Sequence, residues 1–254
     1  RPAHAGIKPM EHPPTRRKDH TYLFAHAWDT PCEPLLLTSG NFRLFCTEYV
    51  HIKQKEEPMT NIIEKPKTNT LIEEYRQQAL AYGHEKAIRT FATPMLQAWE
   101  KACEGYAAED TELEGFADLM SEVFNVRDAA IAAAINPRFK IGTIINLAAK
   151  AHTPYYKRLL SKTLADGFTN PDIKPDHNRL HNAITTACGL TDLASEKKYR
   201  AHPLAVAAYL SWWGGKMEQA YSYAILALDA DRTTSLAALV LVALSKGKKP
   251  AYLN

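Results

Sequence analysis

The stretch from His202 to Gly247, HPLAVAAYLSWWGGKMEQAYSYAILALDADRTTSLAALVLVALSKG, constrains the fold more than any other part of the chain. Pro203 suits a first helical position, where its missing N–H costs nothing. Leu204, Ala207, Ala208 and Trp212 then recur on one helical face. Gly214 and Gly215 stop that helix, because a left-handed terminal residue is easy only for glycine. A second helix carries Ala220, Tyr223, Ala224, Ala227 and Leu228 on its apolar side, with Glu218 early, where an acid favours the helix dipole. Asp231 to Thr234 form a break, and Ser235 caps a third helix, Leu236 to Leu244. That helix is apolar almost all round and is therefore expected to be buried.

Alanines seven positions apart, Ala220 and Ala227, let two helices approach closely. A glycine turn precedes them and an Asp-containing turn follows. The pattern resembles one and a half tetratricopeptide (TPR) repeats, with Arg232 where the repeat usually has proline. No second copy recurs at a fixed period, and such repeats need neighbours to bury their faces. The expectation is a TPR-like hairpin over 203–247 rather than a TPR array.

A chain of 254 residues fits one large or two small domains. The net charge of +3 is too small to imply nucleic acid by itself. No apolar run is long enough to span a bilayer. Cys32, Cys46, Cys103 and Cys188 are widely scattered, which argues for a reducing compartment, the cytoplasm, and for buried thiols rather than a disulfide framework. The start at Arg1, with no signal segment after it, suggests a processed chain or a piece of a longer one.

Residues 1–20, with four prolines and Arg16-Arg17-Lys18, read as an extended or disordered arm. Residues 21–53 read as a small β-containing region. In it Leu35-Leu36-Leu37 and Phe42 to Ile52 pair as strands across Thr38-Ser39-Gly40-Asn41. Residues 54–70 are polar with two prolines, a linker and the best domain boundary. From Leu71 the periodicity is helical to the end. Helices are expected over Leu71 to Arg89, from Pro94 past Cys103, after Thr111, over Asp128 to Ile135, Ile141 to Ala151, Tyr155 to Ala165 and Arg179 to Cys188. The fold class is thus mainly α, an irregular helical array ending in a TPR-like hairpin, with a small N-terminal β-hairpin region.

Three segments resemble a known family. Phe124-Asn125-Val126-Arg127-Asp128-Ala129-Ala130 is similar to the "V-R-D-A" segment of the actinobacterial domain of unknown function 4192 family. Trp212 with Gly215 resembles its W-x-x-G turn, and Asp231-Arg232-Thr233-Thr234-Ser235-Leu236-Ala237 its "D-P-D-Y-S-L-A" segment. Gly247 with Pro250 resembles its closing "G-x-P-P". The likeness runs from about Leu113 to Leu253. Arg232 and Lys249 stand where the family has proline, and Met217 where it has a second turn glycine. The N-terminal α/β half expected of the family is reduced here to residues 20–52. The resemblance implies no activity and no catalytic residues.

Candidate chemistry is sparse. His177 and His181 share a helical spacing, but Asn178 stands where a zinc protease needs glutamate, so a solvated helix start is the reading adopted. Cys32, Cys46, His51 and His26 lack the close cysteine pair of a zinc site. No nucleophile elbow, P-loop or dinucleotide fingerprint occurs, and no cofactor or metal is expected. Acids crowd 96–128, whereas 129–165 holds no acid but six bases, among them Arg138, Lys140, Lys157 and Arg158, with Phe139, Tyr155 and Tyr156 interleaved. Packing of the basic helices against the acidic ones explains both biases. Binding to nucleic acid through those four cations is the alternative.

The function expected first is that of a non-enzymatic helical module for protein–protein interaction. Trp212 and Trp213 at the turn, with Tyr221 and Tyr223, would line an aromatic groove for a protein partner. Core packing is the competing account of these aromatics, expected for at least one tryptophan. A third possibility is a helical remainder of an enzyme whose site lies in a missing N-terminal α/β half.

Overall fold

The computed structural model describes residues 70–254. The arm, the β-containing region and the linker up to residue 69 lie outside the described residues. The described part is mainly helical, with no strand among its residues.

Helices α1 (Thr70–Tyr82) and α2 (His84–Cys103) are separated by Gly83, whose φ of +86° is open to glycine and strained for other residues. The single helix expected over 71–89 is therefore two. Pro94, expected to open a helix, instead lies inside α2. Its ring faces solvent. One turn earlier the Thr90 hydroxyl donates back to the Lys86 carbonyl, a local bond that bends helices.

The short helices α3 (Asp110–Leu113) and α4 (Phe116–Glu122) lead into α5 (Phe124–Ile135). Every residue of α5 from Val126 to Ala134 is buried. Its run of alanines lets neighbouring helices come close on all sides, and its burial all round places it at the centre of the described helices. Asn136-Pro137 end it, and α6 (Ile141–Ala149) and α7 (Pro154–Thr169) follow. Helix α7 outlasts its expected end, so that Gly167 is helical rather than part of a loop. Next comes α8 (His177–Leu193), whose N-cap Asp176 accepts a hydrogen bond from the Arg179 amide at 3.0 Å.

After a 3₁₀ turn at Lys197–Arg200 the chain enters α9 (Ala201–Trp213), the second central helix, buried at every position but Leu204. Gly214-Gly215 end α9 as expected. Gly215 has φ +78°, and the amides of Gly215 and Lys216 donate to the carbonyls of Trp212 and Ser211. That pair of bonds is a Schellman motif. Helix α10 (Met217–Ala230) packs its alanine face, Ala220, Ala224 and Ala227, on α9, and α11 (Ser235–Ser245) lies against both. Thr234, not Ser235, is the N-cap of α11. A second 3₁₀ turn, Ala251–Leu253, closes the chain against α7.

Candidate functional site

Trp212 and Trp213 do not line a surface groove. Each is only 1% exposed. The Trp212 ring stacks on Phe168 with centroids 3.9 Å apart, and its indole Nε1 donates to the Lys248 carbonyl at 2.8 Å. Trp213 meets Tyr252 edge-on and packs over Gly167, where a Cβ would stand 2.5 Å from the indole. Both tryptophans are keystones joining α7, α9 and the C-terminal turn. The core account holds for both, because they are the last two residues of α9, which is buried at every position but Leu204. Tyr223 is half-buried and takes a hydrogen bond from Gln219. Of the four expected anchors, only Tyr221 is exposed.

A different apolar surface is present on the same hairpin. Helix α11, SLAALVLVALS, carries no charged side chain, yet only Leu236, Ala237 and Val240 are buried. Leu239, Leu241 and Leu244 are half-buried, and Val242 is 38% exposed. The expectation that an all-apolar helix must be buried fails here because no further helix among the described residues covers its outer side. On α10, Tyr221 and Ile225 follow one another by a helical turn, and Ile225 is 40% exposed. A hydrophobic patch of this kind is the usual mark of an interaction site.

Arg138, Lys140, Lys157 and Arg158 are all exposed and form no ion pair among the described residues. Arg138 and Lys140 precede the first residue of α6, and Lys157 and Arg158 lie early in α7, so in sequence the two pairs flank α6. Tyr155, 64% exposed, meets Tyr156 edge-on. Packing of the basic stretch on the acids of 96–128 is not what the ion pairs show. Lys150 reaches Glu85 at 3.7 Å and Lys162 reaches Asp166 at 2.8 Å. The acids of 96–128 are engaged from elsewhere, Glu100 by Arg179, Glu112 by Lys101 and Glu122 by Arg76.

Sequence reading did not foresee the buried polar cluster at the meeting of α5 and α9. Arg127 Nε donates to Asp128 Oδ1 at 2.9 Å, Nη2 pairs with the same carboxylate oxygen as an ion pair at 2.8 Å, and Nη1 donates to His202 Nδ1 at 3.2 Å. Phe124 stacks on His202 and takes the Arg127 guanidinium over its face at 4.9 Å. Burial, aided by the Arg127 charge, pushes the His202 imidazole down to about 3. Burial also raises the Asp128 carboxyl, against the pull of Arg127. Arg127, Asp128 and His202 are buried while Phe124 at the edge of the cluster is 51% exposed, and together they tie α5 to α9.

Cys103 is buried and free, its thiol pushed up to about 12 by burial, which makes it inert toward nucleophilic chemistry. Cys188 is half-buried and free. His177 and His181 are exposed, and among the described residues no three metal-ligating side chains gather. No helix among the described residues is long and apolar enough to cross a membrane.

No protein-family model, no curated protein and no solved structure matches the chain. The likeness to the actinobacterial family rests on the segments quoted above alone.

Proposed function

We propose that the helical domain is a protein–protein interaction module that docks its partner on the outer side of the terminal hairpin, across α11 and the Tyr221–Ile225 edge of α10. The observation that carries this is the uncharged sequence of α11 combined with the shallow burial of its outer residues. A solvated helix face ordinarily carries Lys and Glu, so eleven residues without one mark a surface that is covered when the protein works. The TPR-like reading of the hairpin fits this, because among the described residues no further helix covers the outer side of its last helix and helical repeats need neighbours to bury their faces.

The test is Val242→Asp, which places a charge on the exposed side of α11 without touching its buried residues. Its helicity should be retained, with the melting temperature lowered by no more than a few degrees, since Val242 is only partly buried and an acid in the last helical turn is mildly unfavourable. Partners captured from the protein's own cell extract should be retained by the natural chain and lost by the variant. Equal capture by both sinks the proposal.

A second reading, nucleic-acid binding, is favoured by one observation. Arg138, Lys140, Lys157 and Arg158 are exposed and carry no acidic partner among the described residues, and Tyr155, near Lys157 on α7, is 64% exposed. Cations with accessible aromatics are what single-stranded nucleic acid uses.

A further inference from the structure

The uncharged face of α11 is framed by cations at both ends. Arg232 lies just before its N-cap, and Lys246, Lys248 and Lys249 follow its last residue. All four are exposed, and none forms an ion pair among the described residues. The acids nearby are occupied or apart. The Asp231 carboxylate accepts from the Thr233 amide and hydroxyl, at 2.9 and 2.8 Å, and Asp229 pairs with Lys197 at 3.0 Å. Glu218, in the first turn of α10, makes no ion pair with any of the four.

Helix α11's own dipole accounts for Lys246, since cations are favourable at a C-terminus. It does not account for Arg232, which stands at the N-terminal end, where a cation is repelled. A second copy of the chain is a poor occupant. A two-fold axis would bring cation against cation whether the two α11 helices ran parallel or antiparallel.

Resting on the docking face proposed above, we propose that its occupant is an acidic amphipathic helix. Its apolar side lies along Leu241, Val242 and their neighbours, and its flanking carboxylates meet Arg232 at one end and Lys246, Lys248 and Lys249 at the other. Helix α11 is about 16 Å long at 1.5 Å per residue, so a partner of roughly three turns reaches both ends. The mode is that of a helix laid in a groove, with hydrocarbon giving affinity and charge giving partner choice and orientation.

Two fluorescent synthetic peptides test this. Both carry leucines along one helical face; one is flanked by glutamates and the other by lysines. Anisotropy titration against the purified 254-residue chain should show tight binding of the glutamate peptide, weakening with salt, and at least roughly tenfold weaker binding of the lysine peptide. Lys246→Glu with Lys248→Glu and Lys249→Glu should reverse that preference, and Val242→Asp should abolish both. Equal binding of the two peptides, lost in Val242→Asp, overturns the acidic partner and leaves the docking face standing. Binding of neither, with a dimer in sedimentation equilibrium that Val242→Asp dissociates, assigns the face to a second copy and overturns the acidic helix. Binding of neither by a monomeric chain overturns the acidic helix and the docking face together.

Discussion

Arg127 Nη1 lies 3.2 Å from His202 Nδ1, with both side chains buried at the meeting of α5 and α9. A guanidinium has only donors, so Nδ1 must accept and the imidazole must be neutral, its proton on Nε2. Protonation would set two cations against each other out of water.

A pH dependence of stability follows. The folded His202 value of about 3 lies below the ordinary 6.5, so the unfolded chain takes up the proton first. The contribution of neutral His202 is complete above 6.5 and is lost as pH falls from 6.5 toward 3. The Asp128 and Glu100 carboxyls are pushed up by burial and act in the opposite sense. The comparison must therefore be with His202→Phe, which keeps the stack on Phe124. We expect the natural chain to lose stability relative to the variant by up to about 1.4 kcal/mol per pH unit below 6.5. Urea titrations between neutral and mildly acid pH check it, and parallel profiles refute it.

Arg179 ties three helices together. Its Nη2 donates to both Glu100 oxygens at 2.6 Å, and Nε and Nη2 donate to the Ala133 carbonyl at 3.1 and 2.8 Å. Arg179→Ala strands a largely buried carboxylate and an unpaired carbonyl, and should cost about 3 kcal/mol or more. Replacing both partners, Arg179→Met with Glu100→Leu, should recover much of that loss. Equilibrium unfolding of the three variants is the check, with an additive double variant as the contrary result.

Two helical glycines should respond oppositely to alanine. At Gly189 an added Cβ meets nothing within 4 Å, so Gly189→Ala should stabilise by about 0.5–1 kcal/mol through helix propensity. At Gly167 the same methyl stands 2.5 Å from two ring carbons of Trp213, which is locked in the core. Gly167→Ala should therefore cost about 1–3 kcal/mol despite the same propensity gain. Thermal melts of the pair decide it; a stabilised Gly167→Ala would mean that Trp213 is free to move.

These residues mark how far the sequence could be read. The helix periodicity and the Gly214-Gly215 stop were legible because they are local, set by spacing and one positive φ. Pro94 misled because proline is favoured in a first turn, and only the break at Gly83 reveals that α2 began earlier. Core packing was expected for at least one tryptophan but holds for both, whereas α11, expected to be buried, keeps a half-exposed outer side. Which side of a hairpin is covered depends on how many helices stack beyond it, a property of the whole array. Arg127–His202 joins positions 75 residues apart and leaves no periodic trace.

The four cations beside Tyr155 allow the nucleic-acid reading to be bounded in advance. Neutralising four phosphates of a single strand gives a slope of log affinity against log salt of about −3 at most. Two pairs of exposed charges flanking α6 in sequence, with one accessible ring beside the second pair, should therefore bind single-stranded RNA or DNA only at low salt and without sequence preference. We expect electrophoretic shifts that fade before physiological salt and vanish when Arg138, Lys140, Lys157 and Arg158 are all changed to glutamate. Tyr155→Ala should weaken the low-salt complex by about 1 kcal/mol or more if the ring stacks on a base. Binding that survives physiological salt with a slope well steeper than −3 would need more contacts than these four supply. It would displace protein docking as the function of this domain.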